Sequence, residues 1–266
     1  MKERSYHWMQ RAYLLLKWMK DAKSIDTIDS PYLVDWVKHM ILRSGTTDPK
    51  SAEIETLRRQ LLKIDILTNE NAPRTIAQVA RHAVSSRRKC MFLNRLIMWK
   101  DPDSILELGT CLGISTYYLA KNTSARLTTI ERNQQFHDIA KTKAPSWLSG
   151  INFILGDFLE VLPNMITATD RFDVIYIDGA HNSMIQRELW PHYLQLLAPG
   201  GMLVIDDIHW SKAMSEWWGE IRTDSRFNVS IDLFQLGILL SDAPTKEKIE
   251  LKMLPLPLRW QLGLWR

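Results

Sequence analysis

The chain has 266 residues, 45% hydrophobic and 24% charged, with 34 Lys and Arg against 30 Asp and Glu for a formal net charge of +4. That composition excludes a disordered chain, and the length suits one standard α/β domain with an added segment. The small basic excess lacks the dense stripe of a dedicated nucleic-acid binder, and the two cysteines, Cys90 and Cys111, are too few for a disulfide scaffold or a zinc site, which points to a reducing, cytoplasmic setting.

The first hundred residues read as helices. Tyr6 to Met19 is helical, with apolar residues around much of its circumference, so it wants cover. Packing on the main domain or on a second subunit supplies that cover; the sharper alternative is a basic, aromatic helix lying at a membrane surface. Its apolar stretch near Leu14 to Leu16 is interrupted at Lys17 and Lys20, too short for a membrane span or a signal peptide. Asp29, Ser30 and Pro31 open a second helix, Ser51 opens a third, and Thr75 to Val84 and Arg87 to Trp99 suggest two more. The basic cluster Arg87, Arg88 and Lys89 reads as a solvated face rather than a phosphate site.

At Asp101 and Pro102 the pattern changes. The runs SILELG, RLTTIE, INFILGD, FDVIYIDG and GMLVIDD are short, apolar and β-branched, separated by helix-length segments, which predicts a parallel sheet. RFNVSIDLFQLGILLS then reads as two strands broken near Gln235 to Gly237, an antiparallel hairpin at the sheet edge. The expectation is an α/β, Rossmann-like, seven-stranded, mostly parallel sheet over residues 101–242, preceded by a helical segment at 1–100 and followed by a tail at 243–266. The final LPLPLRWQLGLWR has no regular periodicity.

The segment ILELGTCLGISTYYLA carries the strongest chemical signal. A buried strand ends at Glu107 and Leu108, turns through Gly109 to Gly113 and feeds a helix beginning near Ser115, and such turns lie where open α/β sheets place ligands. The pattern G-x-x-x-G is not the three-glycine dinucleotide fingerprint, which argues against NAD. The next strand ends in Glu131, about two dozen residues on, where a carboxylate can accept both hydroxyls of a ribose. Gly156, Asp157 and Phe158 after the third strand suit the adenine end of a ligand.

In this order the motifs resemble the class I S-adenosylmethionine-dependent methyltransferases over about Asp101 to Leu240, nearest the catechol O-methyltransferase-like bacterial branch. The resemblance implies S-adenosyl-L-methionine as cofactor, held by Glu107, Gly109, Thr110, Gly113, Ser115, Glu131, Asp157, Phe158 and Asp178. It also implies methyl transfer to a hydroxyl of a small molecule.

Asp178, Asp206 and Asp207 fall at the ends of the fourth and fifth strands, where hard oxygen ligands can hold Mg²⁺ or another divalent cation. The catechol branch has two aspartates and an asparagine at the matching positions, so Asp207 is a departure, and an acid pair there can also orient substrate without metal. That branch places a lysine base three residues after the first aspartate, where this chain has His181. A histidine titrating near 6.5 can take a hydroxyl proton, with Asp178 beside it, or ligate a metal. His209 either lines the acceptor pocket with Trp210 or caps the helix starting near Ser211. Two further readings stay open: an RNA-modifying methyltransferase, favoured by net charge, and an inactive binding module, in which the tryptophan-rich ends contact a membrane. Surplus apolar surface on the N-terminal helices suggests a homodimer.

Overall fold

Parallel strands need helical crossovers, and the alternation of apolar runs with helix-length segments is realised as such in the computed structural model. It describes residues 5–22, 28, 30–42, 48–70, 72–167, 170–245 and 247–253. The chain divides into two units, residues 43–161 and residues 1–42 with 162–265.

In the unit 43–161, α3 (Pro49–Leu61), α4 (Ile76–His82) and α5 (Arg87–Lys100) precede β1 (Ser104–Leu108), α6 (Ile114–Leu119), β2 (Arg126–Glu131), α7 (Gln134–Thr142) and β3 (Ile151–Leu155). The third helix begins two residues earlier than Ser51: Asp48 is its cap, with Oδ1 accepting the Ser51 N–H at 2.9 Å, and Pro49 fills the first turn. Thr75 and Gln78 form a reciprocal capping box on α4, and Ser86 caps α5. Ile54, Leu61, Ile76, Val79 and Cys90 from these helices are buried in one core with Leu112, Ile114 and Tyr117 of the segment that follows β1. The strands are parallel in the order β3-β2-β1, and all five β1 residues are buried.

The other unit holds α1 (Trp8–Asp21) and α2 (Pro31–Val37), the latter running into a π-helical turn at Lys38–Leu42. It then has β4 (Phe172–Ile177), α9 (Ser183–Leu196), β5 (Leu197–Asp206), α10 (Lys212–Ile221), β6 (Val229–Asp232), β7 (Leu236–Leu240) and β8 (Ile249–Lys252). α8 (Phe158–Thr167) links the two units along the chain. β4 and β5 are parallel, β7 runs antiparallel between β5 and β6, and β8 joins β6 in parallel. The expected hairpin is therefore β6 to β7, turning through Phe234 at a φ of 66°. Gly237 lies on it where a Cβ would come within 2.6 Å of the Trp218 ring, so only glycine fits.

Among the described residues the strands number eight, not seven. The extra one, β8, falls in the stretch expected to be a tail, because IELK is too short and too charged to stand out as a strand. The unassigned LPLPLRWQLGLWR lies outside the described residues.

Candidate active site

The glycine turn is shaped by two positive φ angles that favour glycine, 110° at Gly109 and 84° at Gly113, with Cys111 between them at 48°. The Gly109 and Thr110 N–H groups both donate to the Ile130 carbonyl, at 3.0 and 3.3 Å, which ties the turn to the end of β2. Gly113 caps α6, and a Cβ there would stand 2.5 Å from the Tyr117 hydroxyl. That hydroxyl is itself fixed, donating to the Ala140 carbonyl at 2.5 Å.

Glu107 is completely buried. Its Oε1 accepts from the Ser115 hydroxyl at 2.7 Å, and its Oε2 from Thr116 at 2.5 Å and Thr129 at 2.8 Å. Thr110 shares a proton with Thr129 at 2.6 Å, so the turn, β1, β2 and α6 meet on this one carboxylate. Burial pushes Glu107 up to about 7; the three hydroxyls act against that shift, and the charge of Glu131 adds to it. Glu107 and Ser115, both expected to touch cofactor, face each other.

Glu131 ends β2. Its Oε2 accepts the Cys111 N–H at 2.9 Å and its Oε1 the Asn133 N–H at 2.8 Å, so each oxygen is fixed while keeping a lone pair for a further donor. Burial raises its pKa, and these two N–H groups oppose the rise. Past β3, Asp157 receives the Leu159 N–H at 3.0 Å on Oδ1, and Arg132 stands 3.9 Å from its Oδ2. Asp157 thus caps the start of α8, with Phe158 half-buried beside it. Glu107, Gly109, Thr110, Gly113, Ser115, Glu131, Asp157 and Phe158 all belong to the unit 43–161.

The remaining candidates belong to the other unit. Ile177 and Ile205 are partners in the β4–β5 ladder, so Asp178 and Asp206 follow on adjacent strand ends. The buried Tyr176 hydroxyl lies 2.9 Å from Asp178 Oδ2 and 3.4 Å from Asp206 Oδ2, and bridges the two. His181 Nε2 stands 3.9 Å from Asp178 Oδ1. The loop carrying both is fixed from below: Gln186 donates to the Gly179 and Ala180 carbonyls at 2.9 Å each.

Asp206 and Asp207, the other two expected cation ligands, have partners of their own. Asp206 Oδ1 accepts the Asp207 N–H at 2.9 Å, and Asp207, at a φ of 54°, has Arg11 of α1 3.9 Å from its Oδ1. Among the described residues no three or more His, Cys, Asp or Glu side chains converge on a point where an ion could sit. Asp178 and Asp206 meet at the Tyr176 hydroxyl, while Asp207 has the Arg11 guanidinium nearby. Arg11 also lies 5.3 Å above the Trp210 ring. No sequence signal pairs Arg11 with Asp207, since nearly two hundred residues separate them.

His209 does not cap the helix that follows it. Ser211 caps α10, and His209 is buried, with Nε2 3.1 Å from Asp232 Oδ2 and Nδ1 3.0 Å from the Ser215 hydroxyl. Ser215 also donates to the Ser211 carbonyl at 3.0 Å, which ties the ring to the start of α10. Asp232 also accepts the indole N–H groups of Trp18 at 2.8 Å and Trp218 at 3.0 Å. Burial would raise Asp232, but these donors, His209 foremost, hold it below the usual carboxylate range.

Residues 106–208 match the model of a family described as a methyltransferase domain. An O-methyltransferase of Aspergillus hancockii, hkm8, is 32% identical over 145 residues, 50% of this chain and 55% of that protein. A catechol O-methyltransferase of Niastella koreensis is 27% identical over 143 residues, 52% of this chain and 64% of that one. The chain thus spans between about half and two thirds of the length of these curated relatives. In fold it is similar to the O-methyltransferase of Bacillus cereus crystallised with S-adenosylhomocysteine: TM-score 0.57 and 17% identity, covering 82% of this chain and 100% of that one. It is similar too to TomG of Streptomyces achromogenes, crystallised with S-adenosylmethionine: TM-score 0.56 and 18% identity, covering 79% and 95%. The methyltransferase resemblance drawn from the glycine turn and Glu131, and the Rossmann-like fold it implies, are borne out.

Proposed function

We propose that the chain binds S-adenosyl-L-methionine and transfers its methyl group to a hydroxyl of a small molecule. The observation that carries this reading is Glu131: a buried carboxylate at the end of the second strand, beside the glycine turn, each oxygen steadied by one backbone N–H and open to one more donor. That is what a ribose diol requires. The O-methyltransferase relatives, and the fold neighbours crystallised with the cofactor or its product, support it.

On this reading Glu131 takes the ribose hydroxyls, the backbone at Gly109 to Gly113 receives the methionine part, and Asp157 and Phe158 flank adenine. Glu107 and Ser115 are positioning residues that hold the turn in shape. For the acceptor, the hydroxyl oxygen attacks the sulfonium methyl; the new C–O bond forms as the C–S bond breaks, and the S–C electron pair stays on the departing thioether. His181 takes the hydroxyl proton. With Nε2 turned toward Asp178, Nδ1 is the atom that receives it, and Asp178, fixed by Tyr176, stabilises the imidazolium that results. Alignment supplies most of the acceleration, worth up to roughly 7 to 11 kcal/mol in such displacements.

Calorimetric titration with S-adenosylhomocysteine tests the reading. Wild type should bind, and Glu131→Gln should bind about 100-fold more weakly, because two charge-assisted hydrogen bonds are lost. Wild-type protein that releases no heat with the nucleoside, or a variant as tight as wild type, overturns it.

A further inference from the structure

α1 is apolar on two opposite faces, and only one of them is covered. Leu15 and Trp18 are buried against Phe234, with Leu14, Met19 and Ala22 packed beside them. Trp18 reaches Asp232, so this inner face is anchored by packing and by a buried hydrogen bond. On the far side Met9, Tyr13 and Leu16 are 58%, 71% and 62% exposed. Their spacing of four and three residues sets them in a single stripe along the helix.

Lys20, four residues after Leu16, continues the stripe, and Lys17 flanks it; both are exposed. Neither is in an ion pair among the described residues. The one acid of the helix, Asp21, is taken by Lys252 at 3.1 Å. The outer face therefore presents three large apolar side chains next to two cationic ones and no free acid. Large side chains held out in water on a firmly docked helix do nothing for the fold.

We propose that this stripe docks on an anionic lipid bilayer, α1 lying flat with Met9, Tyr13 and Leu16 entering the headgroup boundary and Lys17 and Lys20 meeting lipid phosphates. A second copy of the chain fits less well, because the same stripe on a partner offers the lysines no acid. An anionic membrane supplies both the apolar layer and the countercharge. The inference is independent of methyl transfer.

The experiment is co-sedimentation of the full chain with sucrose-loaded vesicles of phosphatidylcholine alone or mixed with phosphatidylglycerol. Wild type should pellet with the mixed vesicles, and added salt should release it. Lys17→Gln with Lys20→Gln should weaken partition roughly 25-fold, about fivefold for each charge. Tyr13→Ser with Leu16→Ser should abolish it. All four side chains are exposed, so circular dichroism should show unchanged melting, and the salt titration of wild type tests the charge dependence even if a variant is unstable. Wild type that stays in the supernatant with both vesicles, or pellets equally with both, overturns the proposal. So does light scattering that shows a dimer made monomeric by the Tyr13 and Leu16 changes without any vesicle binding.

Discussion

The carboxyl ends of β1 to β3 and those of β4 and β5 are held by contacts of different range. Around Glu107 and Glu131 every partner lies within about two dozen residues: Ser115, Thr116 and Thr129 for one, Cys111 and Asn133 for the other. Asp207 has Arg11 nearly two hundred residues before it, and His209 has Asp232 after it, which in turn accepts from Trp18 near the start of the chain. A site of the first kind is specified by one contiguous stretch and survives wherever that stretch folds. The second kind, unlike the local pair of Asp178 and His181, exists only once distant elements have docked.

The sharpest way to break this comparison is at Asp232. Asp232→Ala leaves the His209 ring and two indole N–H groups buried without their shared partner, and should cost about 3 to 5 kcal/mol in urea denaturation. A loss below about 1 kcal/mol would mean that the long-range hub is not what holds α1. Gly113→Ala should cost somewhat less, about 2 to 4 kcal/mol, from the left-handed backbone and the clash with a fixed Tyr117. Its damage should also reach cofactor binding; a variant with unchanged stability would show that the turn yields easily.

A third test reads a slope, smallest when taken per pH unit. Glu107 sits near 7 in the folded chain against an ordinary 4.5, so the native state holds its proton more tightly than the unfolded state. The stability this group confers is full below about pH 4.5 and is lost as pH rises to about 7, by at most about 1.4 kcal/mol per unit. Glu107→Gln should flatten that part of the stability curve measured by denaturation at successive pH values. An unchanged slope would remove the buried carboxyl from the account.

The same difference in range explains what the sequence made legible. The glycine turn, Glu131 and the alternation of strands and helices are local patterns, and the sheet and the methyltransferase-domain match follow them. The start of α10 near Ser211 was readable for the same reason, although the cap is Ser211 and not His209. Arg11 beside Asp207 and Tyr176 between two carboxylates were not, since no periodicity links residues brought together only by folding. At Asp178, Asp206 and Asp207 the sequence placed three acids near two strand ends, but it carried no sign that Asp207 would lie beside a guanidinium from the first helix. β8 escaped because four residues with alternating charge carry too little signal.

The bond between Trp18 and Asp232 spans 214 positions of sequence. During synthesis at about 5 to 20 residues per second, the first helix leaves the ribosome roughly 10 to 40 seconds before its anchor is made. For that interval both of its apolar faces are open to water, and the helix needs a temporary companion. A chaperone or the membrane itself could fill that place, so the order in which the chain is made bears on where it first settles.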